Sequence, residues 1–269
     1  MNPLSPRLPS HARETIHQFL RAHALADPAR GVVVGLSGGI DSALTVRLAR
    51  DALGADRVLG VLLPDARFPP ALLRETEEYA TSLGIEHRTI PIAPGEAAVR
   101  SLVPELTDRV DLGNITARLR MVVSYAIARP RQYLVAGAGN KSELLVGYFT
   151  KYGDGGADLL PLGDLYKTEV RTLATQLELP WGFLERAPTA GLWEGQTDEA
   201  ELGLRYDELD RILYGLEQML DPEEIARRGD VPIEKVRSVE EKIRATRHKR
   251  RMPPIPKLSL RTVGLDWRE

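Results

Sequence analysis

Short apolar runs alternate with amphipathic stretches along the first two thirds of the chain. Four apolar-rich runs have the length of buried strands, at residues 31–37, 57–64, 87–92 and 132–137. Apolar residues recur at helical spacing before and between these runs, over residues 11–25, 42–53, 75–83, 114–128 and 141–147. Pro130 is expected to end the helix that begins at residue 114, because proline cannot donate a helical hydrogen bond.

This alternation predicts the fold class. Strands that alternate with helices at such spacing are typical of parallel sheets with right-handed crossovers and helices on both faces. We predict an α/β fold, a doubly wound parallel sheet of about five strands flanked by helices. The strand signal ends near residue 165. Helical patterns follow at residues 165–177, 207–220 and 232–246, with a polar loop at 180–204.

We predict one domain over residues 1–269, because no repeat or evident linker divides the chain. Residues 1–10 form a flexible arm, and residues of about 31–180 form the sheet core. Extra C-terminal helices at about 205–250 pack on the sheet, and residues 251–269 form a tail. In such a sheet, ligands bind beyond the carboxyl ends of the strands. Functional side chains are therefore expected directly after the strands.

Composition excludes several classes of protein. The 269 residues include no cysteine, which excludes a disulfide framework, a thiolate zinc site and a cysteine nucleophile. The net charge of −2 argues against a strongly basic nucleic-acid binder. Residues 1–10 lack the apolar core of a signal peptide, and the apolar run at residues 31–40 is about half a membrane span. We expect a soluble cytoplasmic protein with no nucleic-acid or membrane partner.

A glycine loop, Ser37-Gly-Gly-Ile-Asp-Ser42, follows the first predicted strand. Adjacent glycines let backbone N–H groups approach a phosphate closely, and the helix N-terminus behind them favours an anion. Asp41 would repel a bare anion, so its place in the loop indicates a Mg²⁺ ion that bridges to the phosphates. The alternative is a tight turn in which Asp41 or Ser42 caps the helix. No Walker A spacing occurs, which argues against kinase-like transfer.

The densest polar stretch, residues 137–158, follows the fourth predicted strand. Glu143 begins a helix there, where it could hold a second Mg²⁺ ion facing the one on Asp41. Four side chains of both charges then surround a glycine-rich loop: Lys151, Asp154, Asp158 and Lys167. The glycines at 137 and 139 match part of a dinucleotide-binding fingerprint whose third glycine is missing. A solvated loop of ion pairs is the other alternative.

The loop SGGIDS resembles the signature of the ATP pyrophosphatases, enzymes that cleave ATP between its α- and β-phosphates. Four further blocks resemble the NAD synthetases among them, at residues 114–121, 137–158 with the LYKT helix after it, 187–190 and 248–251. Together the blocks span about residues 31–257. On these motifs the chain is identified as a member of the NAD synthetase family. The resemblance implies a Rossmann-like sheet of the adenine nucleotide α-hydrolase type.

The resemblance also implies an activity. The protein would amidate deamido-NAD to NAD with ammonia, and ATP would be cleaved to AMP and pyrophosphate through an NAD-adenylate, with Mg²⁺ as cofactor. Ammonia is the expected donor because the chain lacks the cysteine of glutaminase domains, although a separate glutaminase partner stays open. Family members are homodimers, and residues 121–127 are a candidate contact that could equally be core.

Residue roles follow from the same resemblance. Catalytic roles are assigned to Asp41, Lys167 and Asp154, and metal binding to Asp41 and Glu143. ATP binding is assigned to Gly35, Leu36, Ser37, Gly38, Gly39, Ile40, Asp41, Ser42, Ala138, Lys167 and Thr189. Deamido-NAD binding is assigned to Arg118, Lys151, Asp158, His248 and Lys249. Ala138 stands where many members have a threonine near the adenosine, and Arg67 is a further candidate adenosine contact.

Other interpretations stay open at this point. Another ATP-pyrophosphatase amidoligase or a tRNA-modifying ligase would share the glycine loop, and a nucleotide-binding sensor would share the fold without turnover. Arg118 could form a surface i, i+4 pair on its helix. The basic run at residues 248–251 could simply complement a helix C-terminus.

Overall fold

The computed structural model describes residues 2–193, 195–263 and 266. Strands of these residues form one parallel sheet in the order β3-β2-β1-β4. They are β1 (Gly31–Gly35), β2 (Val58–Leu62), β3 (Glu86–Thr89) and β4 (Tyr133–Ala136). In the middle of the sheet, Val33 of β1 pairs with Leu59 of β2 and with Val135 of β4. The predicted α/β fold with a parallel sheet is confirmed.

The prediction of about five strands is wrong for the described residues, whose sheet has four. The chain does return to β4 at Leu159, which forms a single parallel bridge with Ala136. There the N–H groups of Asp158 and Leu159 donate to Val135 O (2.9 and 3.2 Å). Pro161 follows two residues later and has no N–H to extend the ladder. The contact therefore remains a bridge and does not become a strand.

Helices precede, separate and follow the strands. They are α1 (Ala12–Ala24), α2 (Ile40–Leu53), α3 (Pro70–Ser82), α4 (Ala93–Leu102), α5 (Arg109–Arg131), α6 (Lys141–Val146), α7 (Lys167–Gln176), α8 (Trp181–Glu185), α9 (Asp198–Leu202), α10 (Tyr206–Glu217), α11 (Pro222–Gly229) and α12 (Ile233–Ala245). The sequence pattern does not predict α4, α8, α9 and α11. Helix α4 buries no side chain, and α8 and α9 have five residues each, so none of these three shows a clear apolar period.

Pro130 does not end the long helix as predicted. Helix α5 continues through Pro130 to Arg131, because a proline in the last turn removes one hydrogen bond without blocking the residues that follow it. The helix ends where Gln132 takes the left-handed conformation, at φ 57°.

Both faces of the sheet are covered by helices. Val32 and Val34 belong to the core that includes α1, α2, α3 and α7. Val33 and Val135 belong to the opposite core, which α5 covers through Ala128. Alternate residues of a strand point to opposite faces, so the valine run of β1 supplies both cores. This arrangement explains why β1 is apolar at nearly every position.

A third apolar cluster lies among α6, α10, α11 and α12, where Ile212, Val236 and Leu4 are buried. Leu4 lies in the arm predicted to be flexible, and its side chain is 1% exposed. The arm is thus packed on the C-terminal helices at this point. Within the described residues, no helix is both long enough and apolar enough to cross a membrane.

The strand order reverses next to β1. From β1 the chain proceeds through β2 to β3 on one side, and it then returns to β4 on the other side. Consequently the loops that follow β1 and β4, residues 36–39 and 137–140, border a crevice at the carboxyl edge of the sheet. Such a crevice is where doubly wound sheets bind ligands.

Candidate active site

The loop after β1 is shaped by its glycines and serines. Gly38 has a φ of +77°, and a Cβ atom there would lie 2.6 Å from Leu72 Cδ1 of α3, so only glycine fits. The hydroxyl groups of Ser37 and Ser42 lie 3.1 Å apart, and Ser42 Oγ also accepts from Ser37 N (3.2 Å). These bonds stabilise the turn from within.

The N-terminus of α2 has no side-chain cap. Its N-cap residue is Gly39, with Asp41 in the first turn. The alternative interpretation, in which Asp41 or Ser42 caps the helix, is therefore wrong. Uncapped first-turn N–H groups and the helix dipole together favour an anion, which agrees with the predicted phosphate role of the loop.

Three predicted site residues meet at the crevice from three separate helices. Lys167, the first residue of α7, donates through Nζ to Asp41 Oδ2 of α2, and Nζ lies 3.5 Å from Glu143 Oε1 of α6. The Lys167 side chain is 2% exposed, whereas the two carboxylates are 17% and 16% exposed. We call Asp41, Glu143 and Lys167 the carboxylate–lysine cluster.

Burial and mutual charge shift the pKa values in this cluster. Burial raises the pKa of Glu143, and Asp41 and Asp198 raise it further while Lys167 opposes them. Burial lowers the pKa of Lys167, but the attraction of Asp41 and Glu143 outweighs burial, so the net shift is upward. Lys167 is therefore an ammonium at neutral pH. Repulsion among Asp41, Glu143 and Asp198 contributes to the raised pKa values of Glu143 and Asp198, and a further cation bound beside them would relieve this repulsion.

Three residues that our sequence analysis missed complete the cluster. Asn140 caps α6 and donates from Nδ2 to Asp41 Oδ1 (3.0 Å). The Tyr206 hydroxyl donates to Asp198 Oδ2 (3.0 Å) and lies 3.5 Å from Glu143 Oε1. The spacing Asn140-x-x-Glu143 is a capping-box signature that could have revealed the first of these. No sequence signal relates Tyr206 or Asp198 to the cluster.

The structure also brings predicted deamido-NAD contacts together around residues 147–151. Arg118 Nε donates to Lys151 O (3.3 Å), and Lys151 Nζ donates to His248 O (2.8 Å). Lys249 Nζ donates to Gly147 O and Phe149 O, both at 2.7 Å. Arg118 thus bonds to a distant loop and not to a neighbour on its own helix. The run at 248–251 bonds to the C-terminal ends of helices, since Arg250 donates to Leu144 O of α6 and Ile243 O of α12, as the alternative of a basic run that complements a helix C-terminus predicts.

The two predicted acidic residues of the glycine-rich loop are engaged in its folding. Asp158 accepts from the Tyr125 hydroxyl (3.0 Å) and from Val135 N (2.8 Å). Asp154 Oδ1 accepts from Thr150 N (2.8 Å), and burial raises the pKa of Asp154. Asp158 therefore fixes this loop against α5 and β4, and Asp154 stabilises the loop from within.

The remaining predicted contacts lie outside the carboxylate–lysine cluster. Thr189 is exposed, and its hydroxyl accepts from Gly191 N (3.0 Å) in a loop after α8. Ala138 is half-buried in the loop after β4. Arg67 forms an ion pair with the buried Asp65 after β2, with Nε 3.0 Å from Asp65 Oδ2.

Comparison with known proteins gives the family. A family model described as NAD synthase matches residues 12–253. The chain belongs to the NAD synthase family. Among its relatives, the NH₃-dependent NAD⁺ synthetase of Methanosarcina mazei is 45% identical over 251 residues, which cover 92% of this chain and 98% of that protein. The resemblance stated from the motifs is confirmed.

Solved structures of the NAD synthase family share this fold. NMN synthetase from Francisella tularensis aligns with a TM-score of 0.83 at 34% identity, covering 94% of this chain and 100% of that one. NH₃-dependent NAD synthetase from Campylobacter jejuni, in complex with nitrate, aligns with a TM-score of 0.78 at 31% identity and covers 91% and 97%. These comparisons do not favour the alternatives outside the family, such as a tRNA-modifying ligase.

Proposed function

We propose that this member of the NAD synthase family amidates deamido-NAD to NAD with ammonia, while ATP is cleaved to AMP and pyrophosphate. The observation that carries the proposal is the meeting of Asp41, Glu143 and Lys167 beside the uncapped N-terminus of α2. Release of pyrophosphate needs anion-binding amides and fixed positive charge in one place. This crevice provides both, next to carboxylates that suit a divalent cation.

The chemistry requires that a carboxylate be activated. Its charge and its resonance both disfavour attack by ammonia, so one oxygen must first become part of a leaving group. The nicotinate carboxylate of deamido-NAD attacks the α-phosphorus of ATP, and the bond to the bridging oxygen of pyrophosphate breaks. Ammonia then attacks the acyl carbon of the NAD-adenylate, loses a proton and expels AMP. Positioning of such bound partners accounts for about 7–11 kcal/mol of barrier in favourable cases.

The chain's own donors face the departing pyrophosphate. The Lys167 ammonium, which Asp41 and Glu143 hold in place, supplies fixed positive charge beside the loop. The amides of the loop after β1 and of the first turn of α2 add neutral donors. Charge that develops on the leaving group is thus met by groups that folding has already positioned.

The carboxylates fit Mg²⁺ as cofactor. Within the described part of the chain, no three acidic or imidazole side chains form a metal cage. Mg²⁺ does not require one, since it commonly takes one or two carboxylates and completes its shell with phosphate oxygens and water. We assign Asp41 and Glu143 as these two ligands, because the cluster has more acidic groups than cations. Bound Mg²⁺ would neutralise phosphate charge.

We assign the dinucleotide and ammonia sites as follows. Arg118, Lys151, His248 and Lys249 are proposed to contact deamido-NAD, supported by their convergence around residues 147–151. Asp158 is proposed as a further contact through the loop that it fixes. Asp154 is proposed to position ammonia. Thr189, Ala138 and Arg67 are proposed to contact ATP.

Two copies of the chain are proposed to form a homodimer. Helices α4 and α5 expose apolar side chains, including Leu102 (79% exposed) and Val122 (55%), and α4 buries no side chain. Apolar area of this kind is stabilised when it is buried against a second copy. Light scattering of the purified protein tests this assignment. We propose a cytoplasmic location, where ATP is available, with free ammonia as donor.

One incubation tests the activity. Purified protein is mixed with ATP, Mg²⁺, ammonium and deamido-NAD, and AMP, pyrophosphate and NAD are quantified. Parallel reactions replace ammonium by glutamine, or deamido-NAD by nicotinate mononucleotide, because the fold is also close to that of an NMN synthetase. Equal amounts of AMP and NAD with ammonium support the proposal. Exclusive use of the mononucleotide, or no pyrophosphate release with either acceptor, would refute it.

A further inference from the structure

The carbonyl oxygen of Gly38, in the middle of the glycine loop, is held by an arginine from outside the loop. Arg186 Nη1 donates to Gly38 O at 2.6 Å, and Arg186 Nη2 donates to Glu75 Oε2 at 2.6 Å. Arg186 follows α8 directly, and Glu75 lies on α3. The guanidinium group therefore connects the loop after β1 to two helices that are remote from it in sequence.

The neighbours of Arg186 hold the guanidinium group in this position. Its Cζ atom lies 5.6 Å from the centre of the Phe183 ring, and Phe183 is buried against Tyr79 of α3 with ring centres 4.9 Å apart. Gly182 leaves room for Glu75, because a Cβ atom at Gly182 would lie 2.0 Å from Glu75 Oε1. The ring of Phe183 and the absence of a side chain at Gly182 thus both favour the hydrogen-bonded pair of Arg186 and Glu75.

Holding this carbonyl determines where the next amide points. In a trans peptide, the C=O of one residue and the N–H of the next point in opposite directions. Because Gly38 O points to Arg186, the N–H of Gly39 points away from it, towards Ser37 Oγ at 3.3 Å. A peptide between two glycines rotates easily. Without Arg186, its carbonyl oxygen could turn into the crevice and repel a phosphate.

We propose that Arg186 is a positioning residue that sets the affinity of the glycine loop for the triphosphate of ATP. It holds the carbonyl oxygen of Gly38 on its guanidinium group and out of the phosphate site, while the Gly39 N–H donates to Ser37 Oγ, and Glu75 holds Arg186. This inference rests on the proposed function only in taking the loop as the phosphate site. It concerns phosphate binding, so it is testable by binding measurements that require no turnover.

The decisive test is calorimetric binding of three ligands to Arg186→Met and wild-type protein. We expect the substitution to weaken ATP and pyrophosphate binding by about tenfold or more, because a hydrogen bond from a charged donor is lost. Adenosine, which has no phosphate, should bind as in the wild type. Unchanged affinity for pyrophosphate, or an equal loss for adenosine, would overturn the proposal.

A matched control removes an arginine–carbonyl bond elsewhere. Arg50 Nε donates to Leu83 O (3.2 Å) between the ends of α2 and α3. Arg50→Met should lower thermal stability by about as much as Arg186→Met while leaving pyrophosphate affinity unchanged. If Arg50→Met also weakens pyrophosphate binding, the effect of Arg186 is a general consequence of destabilisation, and the proposal fails.

Two further variants keep the test decisive if Arg186→Met does not fold. Arg186→Lys retains one donor for Gly38 O, so its affinity for pyrophosphate should lie between those of Arg186→Met and the wild type. Gly182→Ala displaces Glu75 without touching the loop, so affinity should fall by an intermediate amount. Wild-type affinity in both would overturn the proposal. A wild-type protein that binds pyrophosphate but forms no NAD would refute the proposed function alone.

Discussion

Asn140 Nδ2 donates to Asp41 Oδ1 at 3.0 Å, although the two residues are 99 positions apart in the chain. The same side chain caps α6, because its Oδ1 accepts from Glu143 N at 3.1 Å. Asn140 is fully buried. One amide group therefore sets the positions of both proposed metal ligands, one across the crevice and one on its own helix.

Substitution of Asn140 separates these two contributions. Asn140→Ala removes the cap and the donor, and we expect the free energy of unfolding to fall by about 1 kcal/mol or more, with loss of activity. Asn140→Ser retains a capping oxygen but not the donor to Asp41. It should recover part of the stability and little of the activity. Urea unfolding and a pyrophosphate-release assay measure both effects.

A cap that is remote from the crevice is the control for Asn140. Asp221 Oδ1 accepts from Glu224 N (2.7 Å) at the start of α11. Asp221→Ala should cost about 1 kcal/mol of stability and leave activity per folded molecule unchanged. If Asn140→Ala behaved in the same way, its contact with Asp41 would have no role in the reaction.

Removal of the Lys167 ammonium should affect stability and activity together. Lys167→Met leaves Asp41 and Glu143 close together without their cation, and breaking one side of a buried ion pair costs about 3–5 kcal/mol. Turnover should fall by several orders of magnitude. Lys167→Arg should not restore it, because a planar guanidinium cannot replace a compact ammonium at a 2% exposed site. If Lys167→Met unfolded at the same urea concentration as the wild type, the result would contradict the buried ion pairs of Lys167 with Asp41 and Glu143.

The Tyr206 hydroxyl should have an intermediate effect. Tyr206→Phe retains the ring beside Lys167 Nζ, 5.1 Å from its centre, but removes the donor to Asp198. A buried carboxylate then loses a hydrogen-bond donor, which costs about 1–3 kcal/mol. Activity should fall less than with Lys167→Met. The control is Tyr133→Phe. In the wild type, the Tyr133 hydroxyl donates to Asp56 O at 3.0 Å. Equal losses in both variants would remove any special role for Tyr206.

Much of the fold could be predicted because burial leaves a strong signal in the sequence. Strands β1 and β2 lie between two helical layers, so nearly all their residues are apolar. Helix α4, in contrast, lies on the surface and buries no side chain, and the bridge at Leu159 depends on a chain return that no local pattern indicates.

The predictable part of the site is the part close to strand ends. Asp41 and Glu143 each lie in the first turn of a helix shortly after a strand, where the sheet topology already predicts a ligand. Tyr206 reaches the crevice from α10, and Arg186, directly after α8, holds the glycine loop from outside. They lie 63 and 148 positions from their partners Glu143 and Gly38, so both contacts depend on tertiary packing. Their roles could not be predicted from spacing.

Glu217 should make stability depend on pH in the acid range. Its carboxylate accepts from Lys141 Nζ (2.8 Å) and from the Tyr166 hydroxyl, and these hydrogen bonds lower its pKa from the ordinary 4.5. A lowered pKa contributes stability above the unfolded-state pKa, and this contribution is lost as the pH falls through the folded-state value.

At about pH 7, the free energy of unfolding of Glu217→Gln should therefore be lower than that of the wild type. The difference should be less than about 1 kcal/mol, because the site is partly exposed. In urea melts, the difference should shrink below about pH 4.5. The control is Glu223→Gln, which removes a carboxylate from an exposed ion pair with Arg237 and should change stability little at about pH 7. A difference that grows towards acid would contradict the assignment.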